Sequence, residues 1–184
     1  MKKISLPLDQ ATALSLKAGD RVLLSGYIYT SRDAGHKRMC EALEKGEKLP
    51  FDPIDSVIYY VGPTPARDGR VIGSAGPTTS GRMDAYAPTL MREGVRGMIG
   101  KGERNSCVVE AMKKYNCVYF GAIGGAGALL SQCIKSNEAV AFEDLGAEAL
   151  HKLYVEDMPL TVIIDCKGNN LYKTGRANFL KEKA

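Results

Sequence analysis

At 184 residues, with 45% hydrophobic and 25% charged content, the chain falls within the range of one globular domain able to bury its own core. The formal charge of +4, from 25 Lys and Arg against 21 Asp and Glu, is mild, and no run of five or more like charges occurs, so neither a nucleic-acid tail nor a membrane-surface patch is expected. No continuous apolar stretch is long enough for a signal peptide or a membrane span, which makes cytoplasmic residence the expectation.

In chain order, LDQATALSL has helical spacing and stops at Gly19, and RVLLSGYIYT then reads as a strand of β-branched and aromatic residues. Ser31-Arg32-Asp33 offers capping side chains to a helix over AGHKRMCEALEKG, so Arg32, Asp33 and His36 are expected at a strand-to-helix junction. SVIYYVG reads as a second strand, GPTPARDG as an extended loop, and VIGSAG as a short strand that runs into the loop GPTTSGR. RMDAYAPTLMREG is helical in pattern despite Pro88. VRGMIG is a strand ending at Gly100-Lys101-Gly102, and ERNSCVVEAMKKYN is an amphipathic helix. CVYFGAIGG is a further strand and GAGALLSQCI a short helix; NEAVAFEDLGAEAL reads as a strand followed by a short helix. HKLYVEDMPLTVIIDCKGNNLYK reads as strands separated by Asp157-Met158-Pro159, with a turn at Lys167-Gly168-Asn169. Such alternation predicts an α/β domain with helices outside the sheet, the sheet being mixed if the terminal strands form a hairpin.

Cys40, Cys107, Cys117, Cys133 and Cys166 are odd in number and contain no C-x-x-C pair, which argues against a disulfide framework or a self-contained zinc site. They read as small buried hydrophobes, although spacing alone leaves open that three converge on a metal. GAIGGAGALL lacks the Gly-Lys-Ser/Thr ending of a phosphate loop and the dinucleotide-binding spacing, so close backbone packing is the expected reason for its glycines. Tyr59 and Tyr60 read as strand core.

Three predicted strand ends carry cations beside small or hydroxyl residues: Thr30-Ser31-Arg32, Pro77-Thr78-Thr79-Ser80-Gly81-Arg82 and Gly100-Lys101-Gly102. In one sheet these ends can converge on a crevice, where Arg32, Arg82 and Lys101 would suit a small dicarboxylate, since guanidinium forks match carboxylates bidentately. The plainer reading pairs Arg32 with Asp33, or Arg82 with Asp84, as surface ion pairs. His36 is either a scaffold histidine or, if it faces the crevice, a general acid or base.

GYIYTSRDAGHKR, YYVGPTPA, IGSAGPTTSGRMDAYAP, MIGKG and VEDMPLTVIIDCKGN, in this order, resemble the β-type domain of the iron–sulfur hydro-lyases, the class I fumarases and L-tartrate dehydratases. The resemblance covers nearly the whole chain, and its most specific element is Pro-Thr-Thr-Ser-x-Arg-Met. It implies one catalytic domain over residues 1–184 with a swivelling β/β/α fold. It also implies that Thr78 is the base for a substrate C–H proton, that Thr79 and Arg82 bind substrate, and that Arg32 and Lys101 are anion-binding. His36 matches the histidine of an Arg-Asp-x-x-His motif with an active-site role.

In that family three cysteines of a separate α-type domain hold a [4Fe–4S] cluster, and these residues contain no such domain. The resemblance therefore implies a hetero-oligomer in which a partner α subunit carries the cluster, this chain binds no metal, and the substrate is a C4 dicarboxylate. YYVGPTPA and RMDAYAP look more like the fumarase branch, which implies reversible hydration of fumarate to L-malate. The alternatives are the β subunit of L(+)-tartrate dehydratase or a related hydro-lyase and, from a different class, a non-catalytic dicarboxylate-binding module.

Overall fold

The computed structural model describes residues 1–67, 69–123 and 125–175. Its strands are β1 (Lys2–Ser5), β2 (Arg21–Thr30), β3 (Val57–Tyr59), β4 (Gly97–Gly100), β5 (Val118–Gly121), β6 (Ile134–Ala141) and β7 (Leu150–Ile164). The helices are α1 (Gln10–Ser15), α2 (Asp33–Glu44), α3 (Ala87–Glu93), α4 (Ser106–Tyr115) and α5 (Gly127–Gln132), with 3₁₀ turns at Ser80–Met83 and Glu143–Glu148. Local chemistry explains the ends of several. Asp9 caps α1 by accepting from the Thr12 N–H at 2.6 Å, and Asn105 caps α4 by accepting from Val108 at 2.9 Å. Pro88 sits in the first turn of α3, where its missing N–H has no intrahelical partner to lose, so the helical pattern survives it.

The seven strands form one mixed sheet in the order β1-β2-β3-β4-β5-β7-β6, and a further pairing of β2 with β7 closes five of them into a ring. From β2 to β5 all neighbours are parallel, while β7 runs antiparallel to β2, β5 and β6. The 15-residue β7 closes the ring because one of its edges follows β2 from end to end, whereas its other edge serves β6 and then β5. Side-chain alternation divides the apolar residues into two clusters on opposite faces of the strands. Val57, Tyr59, Ile99, Val118 and Phe120 join Val22, Leu24, Ile28 and Val162 on one face. Ile58, Tyr60, Met98 and Tyr119 pack on the other with Met39, Leu90, Met91 and Met112 of the helices.

The α/β class and mixed sheet expected from the sequence are thus present, with three local corrections. Asp157-Met158-Pro159 does not separate two strands. The register with β2 shifts between Leu24 and Gly26, Asp157 takes φ 46°, and its N–H bonds to Ser25 Oγ at 2.9 Å, so a bulge absorbs the irregularity within one continuous strand. Residues 71–76 form no strand; Ser74 exchanges hydrogen bonds with Thr64, and Ala75 donates to the Gly127 carbonyl at 3.1 Å. β1 carries too short a pattern to stand out, yet it pairs in parallel with Arg21-flanked β2 through Lys2–Ser5.

Candidate functional site

Because β2, β3 and β4 are parallel neighbours, their C-terminal ends open on one rim, the usual position of a ligand in an α/β sheet. Beyond β3 and β4 the rim is extended by the Pro77–Ser80 segment. Pro77 bridges Val61 and Thr79 bridges Lys101. The Thr78 N–H donates to the Tyr60 carbonyl at 2.7 Å, the Lys101 N–H to the Thr78 carbonyl at 3.3 Å, and the Ser80 N–H to the Lys101 carbonyl at 2.8 Å. The threonine loop is therefore strapped between the continuations of two core strands, with its backbone occupied and its threonine side chains outside that ladder. Thr78 is half-buried and Thr79 exposed; neither hydroxyl has a hydrogen-bond partner among the described residues.

Gly100 permits this arrangement. A Cβ there would collide with Ser80 Oγ, so the glycine lets the turn sit directly on the end of β4. What this glycine admits to the backbone of β4 is thus the threonine loop.

The two arginines each have an acidic neighbour, but not the one expected. Arg82 Nε donates to Asp33 Oδ1 at 2.9 Å, and its Nη2 lies in ion-pair contact with Oδ2 at 2.8 Å, which ties the loop to the first residue of α2. Arg32 lies against Gly62, where a Cβ would strike its guanidinium, and its Nη2 is 3.3 Å from Glu148 Oε1. Glu148 Oε2 also accepts the Ala34 N–H at 2.9 Å, so the cap of α2 comes from this distant acid rather than from the side chains of residues 31–33. Lys101 is exposed and has no acid within salt-bridge distance among the described residues. With three cations against two acids, the rim keeps a positive excess.

His36 is brought to the same junction but is fully enclosed. Its Nδ1 lies 2.9 Å from the Arg32 carbonyl, which can only accept, so Nδ1 carries the proton and Nε2 is the bare nitrogen; Nε2 has no partner. Burial, with help from the Arg104 charge and against the Arg32 carbonyl bond, pushes the imidazole down to about 4. His36 is therefore neutral at physiological pH and packs edge-on against Tyr60 with ring centroids 5.2 Å apart.

A polar cluster that the sequence did not reveal lies under the rim. Arg104 Nε donates to Asp84 Oδ1 at 2.6 Å, Asp84 Oδ2 accepts the Asn105 N–H at 2.7 Å, and the side chains are 0% and 9% exposed. The Arg104 guanidinium centre lies 5.3 Å from the ring centroid of Tyr60 and 5.2 Å from that of Tyr119. Burial pulls this guanidinium down, but Tyr60, Asp84 and Tyr119 outweigh it and leave it raised, so it stays charged. Asp84, read from sequence as a neighbour for Arg82, is thus committed to Arg104. Nothing in GKGERN marks its arginine as interior.

The family model for the fumarase C-terminus matches residues 1–175. The chain belongs to the fumarase C-terminal family. It is 41% identical over 175 residues to the aerobic class I fumarate hydratase of Escherichia coli K12, a match covering 94% of this chain and 31% of that protein. Fumarate hydratase 2 of Leishmania major is 41% identical over 84% of this chain and 28% of its own length. The putative L(+)-tartrate dehydratase subunit beta of Methanocaldococcus jannaschii is 40% identical over 90% of this chain and 88% of its own. The chain thus spans about a third of the length of the fumarate hydratases it matches.

The cysteines do not fit an iron–sulfur cluster, which needs several converging thiolates. Cys40, Cys117 and Cys166 are buried as small hydrophobes, but Cys107 is exposed and Cys133 partly so, a departure from the uniform burial expected. Among the described residues no three His, Cys, Asp or Glu side chains are grouped to hold a metal ion, and no helix is long and apolar enough to cross a membrane. Gly121 and Gly127 serve packing, since a Cβ on the first would meet Ile163 and one on the second Ser74 and Gly76, whereas Gly125 faces open space with φ 81°.

Proposed function

We propose that this chain is the cytoplasmic β subunit of a class I fumarate hydratase, acting with an iron–sulfur α subunit on fumarate and L-malate. The observation that carries the reading is the rim itself, where Arg32, Thr78, Thr79, Arg82 and Lys101 meet at the ends of three parallel strands. Arg82 spends one of its five N–H donors on Asp33, and the others can grip a substrate carboxylate; Lys101 and Arg32 supply charge for the second. Thr79 donates a neutral hydrogen bond to the carboxylate. Thr78 handles the proton at the adjacent C–H, where the developing charge is stabilised by the same fixed cations. His36, enclosed and neutral, orients Arg32 through its carbonyl rather than meeting the substrate.

The resemblance assigns a [4Fe–4S] cluster to the α subunit. The purified chain should fold but show no hydratase activity, and should gain it on anaerobic reconstitution with an iron–sulfur α chain. Fumarate, malate and L-tartrate assayed side by side identify the substrate; full hydratase activity from the iron-free single chain would overturn the proposal. L(+)-tartrate dehydratation is the second reading, favoured by one observation: the archaeal tartrate dehydratase subunit is matched over nearly its whole length as a separate chain.

In the assembled enzyme, Arg82→Met and Lys101→Met should each lower kcat/KM by about ten- to a hundredfold, mostly by raising KM, from loss of a charge-assisted bond worth roughly 1.5–3 kcal/mol. Neither should unfold the chain, because both side chains are exposed and the Arg82–Asp33 pair is worth at most about 1 kcal/mol. Unchanged kinetics in both would place the carboxylate elsewhere.

A further inference from the structure

Beneath the rim, two loops that share only a short backbone bridge are joined a second time through side chains. Tyr119, on the helix-facing side of β5, places its hydroxyl 2.9 Å from the Gly102 carbonyl and 2.9 Å from Ser80 Oγ. A phenol has one proton. It donates to the carbonyl, which can only accept, and takes the Ser80 hydroxyl proton in return, so both capacities are filled. Ser80 belongs to the threonine loop and Gly102 follows Lys101. The same two loops meet again at Asp84, just after the 3₁₀ turn, whose carboxylate takes both Arg104 Nε and the Asn105 N–H. Arg104 spans the interval, its guanidinium resting on the rings of Tyr60 and Tyr119.

We propose that Tyr119, Ser80, Asp84 and Arg104 are positioning residues, a buried polar bracket that fixes the threonine loop and the Lys101 loop in one relative placement. This rests on the reading of the rim as the dicarboxylate site. Three backbone hydrogen bonds hold Thr78 and Ser80 to Tyr60 and Lys101, and a short bridge at a strand end frays without support. The bracket supplies that support from the core side, where no water competes, since Ser80 and Tyr119 are both 0% exposed. None of the four touches the place where substrate would lie. Their effect passes through Thr79 and Lys101, which bind in the ground state, and through Thr78.

Tyr119→Phe tests this with little disturbance, because the ring and its contact with Arg104 stay in place. Amide hydrogen exchange at Ser80 and Lys101 should quicken by about tenfold or more, while exchange in β2 and β7 is unchanged. In the assembled enzyme KM for the dicarboxylate should rise by about three- to tenfold, with a smaller fall in kcat, because both hydrogen bonds of the hydroxyl are lost but neither is made to substrate. Ser80→Ala should behave alike, and the double variant should be no worse than about twofold beyond either single one, since both remove the same bridge. A purely structural tyrosine would lower thermal stability with unchanged KM. Unaltered exchange at the two amides, faster exchange with unaltered kinetics, or additive single effects would each overturn the proposal. A wild-type assembly without hydro-lyase activity would instead count against the functional reading, and the exchange result would still decide whether the bracket holds the loops.

Discussion

Asp84→Ala should destabilise the chain by about 3–5 kcal/mol, the range found when one partner of a buried ion pair is removed. The cost arises on the side left behind. Arg104, with a fully buried side chain, would lose the only carboxylate that pairs with it among the described residues, and the Asn105 N–H its acceptor, while Tyr60 and Tyr119 present their ring faces. A cation on an aromatic face is worth about 2 kcal/mol or somewhat more when desolvated, too little to replace the carboxylate and its two hydrogen bonds. For a domain of this size the loss corresponds to roughly 6–20 °C in Tm. Urea titration of wild type and variant at equal m-value measures it. Asp84→Ala combined with Arg104→Met should recover part of the loss, because no charge is then stranded; a single-variant cost below about 1 kcal/mol would mean that water reaches Arg104.

What could be read from the chain alone follows from the range over which each signal acts. RVLLSGYIYT became β2 over the same residues, and the helices over 33–44 and 106–115 began and ended near the expected positions, because periodicity, caps and glycines are local. The rim residues were legible as hydroxyl and cationic side chains after strand-like runs, and parallel pairing of those strands brings them together. Partner choice was not legible. Arg32 is held by Glu148, whose neighbours in sequence carry no sign of it, and Arg82 reaches past Asp84 to Asp33. Arg104 was read only as part of the helical run ERNSCVVEAMKKYN, yet it precedes the helix and the fold turns it inward onto two tyrosines. The continuous β7 was missed for a related reason. Asp-Met-Pro is locally a turn signal, and only pairing with β2 on one edge and β5 and β6 on the other makes a bulged strand the better solution.

Those partner choices bear on the charge available to a ligand. Were Arg32, Arg82 and Lys101 all unpaired, a dianion would be held tightly but so would any phosphate or sulfate. Asp33 and Glu148 reduce the field and orient the guanidinium planes, leaving Lys101 as the cation whose charge is unshared among the described residues. On the proposed reading of the rim as a dicarboxylate site, selectivity depends on the separation of two carboxylates more than on total charge.

In the assembled enzyme Thr78→Ala should lose most of kcat, roughly a hundredfold or more, with substrate binding largely intact. The backbone of Thr78 is committed to Tyr60 and Lys101, so removal of its hydroxyl leaves the loop in place and the effect falls on chemistry rather than on folding. A threonine hydroxyl is a poor base in water, so the proposed role requires the rim cations to favour its alkoxide; an interaction that matters chiefly in the transition state appears in kcat. Thr79→Ala should differ. As a donor to a carboxylate already present in the ground state, Thr79 should change KM more than kcat, by roughly 0.5–1.5 kcal/mol for one neutral hydrogen bond. Exchange of solvent isotope into malate at C3 separates the roles, since loss of the base must slow that exchange together with dehydration. Were exchange normal in Thr78→Ala, the proton would leave by another route and Thr78 would not be the base.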